Sequence, residues 1–245
     1  MLSIKGISKR YEELQVLENF SLNVPTNSFC VITGPSGCGK STFFDILMGN
    51  VPRDKGTISW KENNIKDLSP SAAYMQQKDL LLPWLSLFQN AILPAMFNSE
   101  LSFDPARKCI KLFDYMGISG FEDYLPENVS GGMKKRCALV RTLMFDREII
   151  LLDEPLSSLD AIRKHNLYSL LLDLQYKFRK TILMITHDIE EALLVADELI
   201  VVTDIPMIKR ESFTLTSSKP RDISDKELLK IKSHVLTELN GAAKR

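Results

Sequence analysis

The segment Gly34-Pro35-Ser36-Gly37-Cys38-Gly39-Lys40-Ser41-Thr42 decides the fold. It matches the spacing G-x-x-x-x-G-K-[ST] at every fixed position. Residues 29–33 before it are apolar and rich in β-branched side chains, which predicts a buried strand. Residues 42–48 after it contain no helix breaker, which predicts a helix that ends near Gly49. The glycines therefore lie between a strand and a helix, the context in which this spacing forms a phosphate-binding loop.

The chemistry of this loop follows from its residue types. Glycines let the backbone wrap an anion and direct N–H groups inward, and the following helix adds the positive end of its dipole. Lys40 is predicted to reach the β- and γ-phosphates, and the Ser41 hydroxyl is predicted to ligate Mg²⁺. A simple turn would need the glycines but not the Lys-Ser pair, so the segment indicates a nucleoside triphosphate site.

Composition places limits on the partners and the compartment. The chain has 245 residues, enough for one or two domains, and its 31 basic and 31 acidic residues balance, which argues against a nucleic-acid partner held mainly by bulk charge. Its four cysteines form no C-x-x-C pair, which indicates reduced thiols. Cys38 is either a reactive thiol beside the phosphates or a small loop residue, and the second interpretation is favoured. No apolar run reaches the roughly 18 residues of a membrane span.

Two further apolar strands end in chemically active side chains. Residues 149–152 lead to Asp153 and Glu154, and residues 181–186 lead to His187. Ligand chemistry in parallel sheets gathers at the carboxyl ends of strands. Asp153 is predicted to hold Mg²⁺ and Glu154 to polarise the attacking water. The alternatives are a solvated acidic pair and a structural histidine, and the shared position at one end of the sheet favours function.

The region from 86 to 145 carries helix signals and no strand signal. Asp104-Pro105 is a helix start, and Ser130-Gly131-Gly132 precedes a second helix. By itself the latter segment is a capped helix, and a second anion site is the alternative. Leu80–Trp84 is densely apolar but broken by proline, which indicates either a buried loop anchor or an exposed patch that docks a partner.

Two later helices are predicted from apolar periodicity. Ser157–Asp160 opens the first, and Ser224–Glu227 forms a capping box before the second, whose apolar face would pack on the body of the protein or on a second copy. The apolar stripes are Leu167, Leu170, Leu171, Leu174 and Phe178 in the first helix, and Leu228, Ile231, Val235 and Leu239 in the second.

Together these motifs resemble the ATP-binding subunit of an ABC transporter, over residues 1 to about 205. The resemblance rests on Tyr11, the phosphate loop 34–42, Gln77, Ser130-Gly131-Gly132, Asp153-Glu154-Pro155, Ser158-Leu159-Asp160 and His187, in that order. Leu81–Trp84 and the Gly-Gly-Met of the signature are similar to the importer branch for nitrate, sulfonates, taurine and thiamine precursors. Residues 25–28 lack the glycine usual in this family, so that turn is expected to differ in shape.

The resemblance implies an α/β fold. Its P-loop, RecA-like core would have a mixed, mainly parallel sheet, an N-terminal antiparallel β subdomain and an inserted helical subdomain. The predicted core comprises 1–77 and 147–205, the helical signature subdomain 78–146, and a C-terminal tail with an amphipathic helix 206–245.

The resemblance also implies a mechanism with ATP and Mg²⁺ as cofactors. Two copies would face head to tail, with ATP between the phosphate loop of one copy and Ser130-Gly131-Gly132 of the other. The roles implied are adenine stacking for Tyr11, Mg²⁺ and water contact for Gln77, the general base for Glu154, γ-phosphate contact for His187 and a link between the two sites for Asp160.

The partners implied are a second copy, two integral-membrane permease subunits docking near Gln77 and Leu80–Trp84, and a separate substrate-binding protein, with no nucleic acid. The chain would then lie on the cytoplasmic face of the membrane. A soluble ABC-type ATPase acting on nucleic acid or ribosomes is the alternative, and such proteins usually carry long coiled coils or two cassettes, which this chain lacks. A scaffold without ATPase activity is disfavoured because Lys40, Asp153, Glu154 and His187 are all present.

Overall fold

The computed structural model describes residues 1–97, 104–156 and 161–242. Over these residues two sheets and a set of helices build an α/β fold. The strands are β1 Leu2–Tyr11, β2 Leu14–Val24, β3 Phe29–Thr33, β4 Lys55–Trp60, β5 Asn63–Ile65, β6 Ala72–Met75, β7 Ile149–Asp153, β8 Thr181–Ile185, β9 Glu198–Val202 and β10 Lys209–Thr214. The helices are α1 Lys40–Leu47, α2 Leu87–Met96, α3 Pro105–Tyr115, α4 Gly131–Met144, α5 Ala161–Tyr176, α6 Ile189–Val195 and α7 Lys226–Ala242.

The larger sheet has the order β10-β9-β3-β8-β7-β6. Its strands β9, β3, β8, β7 and β6 run parallel, and β10 joins the edge antiparallel to β9. The smaller sheet, β2-β1-β4-β5, is antiparallel throughout. The predicted fold class, a mainly parallel core with an N-terminal antiparallel part, is therefore confirmed.

The larger sheet separates two hydrophobic cores. Phe29 and Val31 of β3 belong to one core, whereas Cys30 and Ile32 belong to the other, because successive side chains of a strand point to opposite faces. The first core is filled by residues of helices α2 to α7, and the second by the antiparallel sheet and the phenylalanines of α1. This burial on both faces explains why the parallel strands are apolar at nearly every position.

The helical insertion forms as its sequence predicts. The Asp104 carboxylate accepts hydrogen bonds from the amides of Ala106 and Arg107, so α3 begins at Pro105. The Ser130 hydroxyl accepts one from the amide of Met133 at the start of α4. Three residues on the inner face of α4 are fully buried: Cys137, Val140 and Met144.

Two local predictions are wrong in part, and the structure describes the turn at 25–28. Phe178 is not on the buried stripe, because α5 ends at Tyr176 and the Phe178 side chain is 62% exposed. The cap of α7 is Asp225 rather than Ser224, since its carboxylate accepts from the amides of Glu227 and Leu228. The turn at 25–28 has Asn27 in the left-handed region, with φ of 60°, which asparagine tolerates better than most residues and glycine best.

The C-terminal tail packs on the body of its own chain. Leu228 and Val235 of α7 are buried in the first core, and Ile231 and Leu239 pack against it. The guanidinium of Arg221 donates to backbone carbonyls of Leu193, Ala196 and Leu215. Of the two positions left open for this helix, the structure selects the intramolecular one.

Candidate nucleotide site

The phosphate loop joins β3 to α1 at the carboxyl end of the larger sheet. Ser36, Gly37 and Ser41 are exposed, whereas Lys40 is buried. The Lys40 ammonium donates to the carbonyls of Gly34 and Pro35, with Nζ–O distances of 2.9 and 2.6 Å, and it lies 3.6 Å from the Cys38 sulfur. The lysine therefore closes the loop on itself at the place where an anion would be held.

Two glycines of this loop are required by the space around them. A Cβ atom at Gly34 would lie 2.5 Å from Cγ2 of Val202 and 2.9 Å from its carbonyl oxygen, so a side chain would force the loop away from β9. Gly39 has φ of 107° and faces Val16, a backbone conformation that residues with a side chain rarely adopt. The residues of the fixed spacing therefore serve the loop geometry as well as ligand access.

The acidic pair and the histidine meet at the ends of adjacent strands. The Glu154 amide donates to the carbonyl of Ile185 in β8, which aligns the two strand ends. There the Glu154 carboxylate and Nδ1 of His187 are 2.9 Å apart. Glu154 has φ of 49°, an uncommon value for a non-glycine residue that turns its side chain out of the strand direction. The predicted proximity of these two side chains is a feature of the structure.

The residues beside the loop fit a divalent cation. Asp153 is buried, and the Ser41 hydroxyl lies beside its carboxylate. The carboxylate oxygen Oδ2 is buried without a hydrogen-bond partner among the described residues. Burial raises the pKa of Asp153, opposed by the Ser41 hydroxyl, while the Glu154 charge raises it further. An orphaned carboxylate oxygen beside a serine hydroxyl is a hard-oxygen donor set of the kind Mg²⁺ prefers.

Lys135 is a site residue that the sequence reasoning missed. It lies in the second turn of α4, is 8% exposed, and donates to the backbone carbonyl of Gln77 at 3.4 Å. Burial lowers the pKa of Lys135, whereas the charges of Glu154 and Asp153 raise it. It links the signature helix to Gln77 and the acidic pair. Its position in the sequence is the signal that could have identified it. Lys135 is four residues before Leu139, which is buried, and residues at i and i+4 lie on the same face of a helix.

A second unpredicted group supports the histidine loop. Glu191, 3% exposed, accepts from the Thr186 hydroxyl at 2.7 Å and pairs with Lys164 at 2.6 Å. The Asp188 carboxylate accepts from the amides of Glu190 and Glu191 and caps α6. These bonds fix the backbone on both sides of His187, whose own side chain is exposed.

The other described residues of the predicted site are exposed or partly exposed. Ser130 and Gly131 are exposed, and the hydrogen bonds of Ser130 run to Met133 and Lys134 in its own helix. Tyr11 ends β1, is 44% exposed and has the Lys9 ammonium 5.1 Å from its ring centre. The side chains of Gln77 and Thr42 are exposed and partly exposed. Asp160, with Ser157, Ser158 and Leu159, lies outside the described residues.

Comparison with known proteins identifies the family. The family model described as ABC transporter matches residues 17–157, more than half of the chain. The chain belongs to the ABC transporter family. The chain is therefore an ATP-binding protein of this family, and the predicted ATPase class is confirmed.

Individual relatives agree with this assignment. The chain is 33% identical to an aliphatic sulfonates import ATP-binding protein of Pseudomonas savastanoi, over 99% of this chain and 97% of the relative. It is 35% identical to a bicarbonate transport ATP-binding protein of Synechocystis, over 90% and 81%. A solved ATP-binding cassette, a dimer in a post-hydrolysis state bound to ADP and phosphate, superposes with a TM-score of 0.80 at 25% identity, over 89% of this chain and all of that one.

The apolar segment Leu80–Trp84 of this ABC subunit is exposed in part. Leu80 and Trp84 are 51% and 71% exposed, whereas Leu81 packs against the first core. The Arg141 guanidinium donates to the carbonyls of Asp79 and Leu80, which holds the loop against α4. The segment is thus anchored through Leu81 and Arg141 and presents Trp84 outward. The docking of a partner by its exposed residues stays a prediction.

The Cys38 thiol is buried rather than presented to the loop surface. Burial raises its pKa, opposed by the neighbouring Lys40, so the thiol stays protonated near neutral pH. This supports the interpretation of Cys38 as a small loop residue. No helix of the described ranges is both long and apolar enough to cross a bilayer.

Proposed function

We propose that the chain is the energy-coupling ATPase subunit of an importer for a small anion or vitamin precursor. One observation carries the site chemistry: Lys40, Ser41, Asp153, Glu154 and His187 converge at the carboxyl ends of β3, β7 and β8. Support for import comes from relatives whose names assign them to aliphatic sulfonate import and bicarbonate transport.

In this proposal the phosphate loop 34–42 holds the phosphates of ATP. Lys40 leaves the carbonyls of Gly34 and Pro35 and pairs with the β- and γ-phosphates. Ser41, Asp153 and Gln77 would hold Mg²⁺, which when bound would neutralise charge on the phosphate oxygens. These residues are already adjacent except for the Gln77 side chain, whose backbone carbonyl is tied to Lys135.

Glu154 and His187 carry the proton chemistry. Glu154 accepts a proton from the attacking water. Asp153 is assigned to Mg²⁺, so Glu154 is the acid of the pair that remains for this role. His187 contacts the γ-phosphate, and its bond with Glu154 keeps both side chains in place before ATP arrives. When the site closes on ATP, the contact between Glu154 and His187 is replaced by contacts of Glu154 with water and of His187 with the γ-phosphate.

A second copy completes the site. The start of α4 is exposed, and Ser130-Gly131-Gly132 can present its amides to the phosphates held by the partner copy. Tyr11 stacks on the adenine, and Asp160 joins the two sites. ATP then binds between the copies and draws them together, and hydrolysis lets them separate.

The remaining partners are two permease subunits and a substrate-binding protein. The exposed Trp84 and Leu80 are an apolar pair on a rigidly held loop beside Gln77, which suits a helix of a membrane subunit. The chain would thereby sit on the cytoplasmic face of the membrane.

Affinity co-purification tests this proposal. Tagged Glu154→Gln protein is recovered with ATP from detergent-solubilised membranes, because slow hydrolysis should hold the closed assembly together. We expect a polytopic membrane protein in the eluate. The same protein carrying Trp84→Ala should lose that partner while keeping ATP binding, and Tyr124→Ala, at another exposed aromatic residue, is the control. Recovery of only ribosomes, DNA or soluble proteins would contradict the importer function and leave the ATP chemistry intact.

A further inference from the structure

A cavity of about 840 Å³ lies on the far side of the core from the nucleotide site. Its floor includes Ala73 and Ile150, near the amino ends of β6 and β7, whereas Asp153 is at the carboxyl end of β7. Ile150 and Asp153 are three positions apart along the strand, a distance of about 10 Å. The volume is within the range of small-molecule sites, roughly 300–1,000 Å³. The cavity is thus large enough for a ligand and separate from ATP.

The cavity combines an apolar interior with a cationic rim. Its interior is formed by Leu112, Leu143, Ile150, Leu170 and Leu174. Six lining residues are basic and three are acidic, an excess of three positive charges in a chain whose net charge is zero. A local excess of cations around an apolar chamber selects a ligand that carries an anionic group on an apolar body.

Part of the positive charge is already neutralised. Asp146 pairs with Lys108 at 3.2 Å and with Lys180 at 3.1 Å, and Asp173 pairs with Lys177 at 2.8 Å. These pairs account for two of the three acids on the wall. The third acid, Asp104, is used in capping α3.

The cations that remain are Arg107, Lys111 and Arg147. Within 1–97, 104–156 and 161–242, neither Arg107 nor Lys111 has an ion-pair partner. Nε of Arg147 is buried and, over the same residues, has no hydrogen-bond acceptor. The Arg147 side chain lines the same cavity and, among the described residues, has no ion-pair partner. An anionic group is the ligand that these unpaired cations around one cavity would stabilise.

We propose that this cavity binds an amphipathic anion, a molecule with one acidic head group and an apolar body. The head group pairs with Arg107, Lys111 and Arg147, and the apolar body lies among the leucines. The walls come from α3 and the end of α4 on one side and from β7 and α5 on the other. A bound ligand therefore joins the helical insertion, which carries Ser130-Gly131-Gly132, to the core.

Two matched fluorescent probes test the proposal on the full chain. The first is 8-anilino-1-naphthalenesulfonate, and the second is N-phenyl-1-naphthylamine, which has the same rings without the sulfonate. We expect saturable binding of the sulfonate at one site and at least tenfold weaker binding of the neutral probe. The exposed pair R107E and K111E should weaken sulfonate binding at least tenfold. The control K226E and K230E makes the same charge change on exposed positions of α7.

Each outcome decides the proposal. Loss of binding in the α3 variant but not in the α7 variant, with ATP affinity unchanged in both, supports the site. Equal binding of the two probes would show an apolar surface without anion selectivity and would overturn it. Equal weakening by both variants would show an effect of overall charge and would also overturn it.

Discussion

Asp153 is the residue at which stability and function most plainly conflict. Its carboxylate is buried, one oxygen lacks a partner among the described residues, and burial raises its pKa. A buried charge with an unsatisfied acceptor destabilises the nucleotide-free protein. A cation beside Ser41 would supply the missing interaction. Strain of this kind concentrates at sites that are completed by a ligand.

Asp153→Asn should therefore stabilise the protein without ATP and abolish Mg²⁺-dependent hydrolysis. Removing the charge should raise the free energy of unfolding by about 1 kcal/mol, measured by urea denaturation without nucleotide. Asp123→Asn changes an exposed acid and is the matched control, expected to alter neither quantity. A destabilised Asp153→Asn protein would mean that the carboxylate contributes more to the fold than its burial costs.

Lys135 acts on the same group from the helical insertion. Its bond to the Gln77 carbonyl and its charge near Asp153 and Glu154 make it a positioning residue. Lys135→Met should lower kcat about tenfold, equivalent to roughly 1.4 kcal/mol in the barrier, with ATP affinity little changed. Lys135→Gln, which can still donate to the Gln77 carbonyl, should recover part of the loss. Steady-state kinetics measure kcat and the ATP dependence, and Lys134→Met is the control at the neighbouring position. Similar kcat values for Lys135→Met, Lys135→Gln and Lys134→Met would exclude a positioning role for Lys135.

At the scale of elements, the packing of helices α4 and α7 decides which of their residues are buried and which remain exposed to a partner. The apolar face of α4 is buried at Cys137, Val140 and Met144, so its N-terminus is held rigidly while Gly131 stays exposed. Helix α7 buries Leu228 and Val235 in the first core. The tail is thus part of the folded body, and its apolar stripe is not available to a partner.

Substitutions at adjacent positions of α7 test this packing. Leu228 is 4% exposed and Leu229 is 45% exposed. Leu228→Ala should lower the free energy of unfolding by about 2–3 kcal/mol because it leaves a cavity in the core, and Leu229→Ala should change it by less than about 0.5 kcal/mol. Urea denaturation of the two variants measures the difference. Equal effects would show that α7 is not packed as the structure has it.

At the scale of the whole molecule, the proposed function makes the nucleotide site incomplete in one chain. The phosphate loop and the acidic pair lie together, whereas the signature segment 130–132 is exposed at the start of α4. A Cβ at Gly131 would meet no atom of the described residues within 4 Å. A side chain there should not disturb the fold, so any loss of function would come from contact with another molecule.

Mixing two defective proteins tests whether that molecule is a second copy. In a Glu154→Gln background, Lys40→Ala removes the phosphate contact and Gly131→Glu blocks the signature. Neither variant by itself should dimerise when ATP is added, because both nucleotide sites of such a dimer are defective. In a head-to-tail mixture one site retains a normal phosphate loop and a normal signature, so differently tagged variants should co-elute only with ATP. No co-elution would contradict the trans arrangement, and thermal denaturation of Gly131→Glu checks its folding.

The sequence by itself determined the strand ends and the loop chemistry. Phosphate binding depends on a local spacing of glycines, lysine and serine, and parallel strands deliver Asp153, Glu154 and His187 to one edge of a sheet. These features are short in range or follow from topology, so residue types alone predict them. Family resemblance supplied the set of motifs and their order, and the roles of all the site residues, Tyr11, Gln77 and Asp160 among them, remain predictions.

Only the tertiary structure decided which side chains meet between elements. The bond from Lys135 to Gln77, the ion pair of Lys164 with Glu191 beside the His187 loop, and the charged cavity beside α3 all join residues that are far apart in the chain. The position of α7 on its own body was equally undetermined, because an apolar stripe records that a face is buried but not by what. Contacts of this kind depend on how elements pack, and periodicity carries no information about a partner across the core.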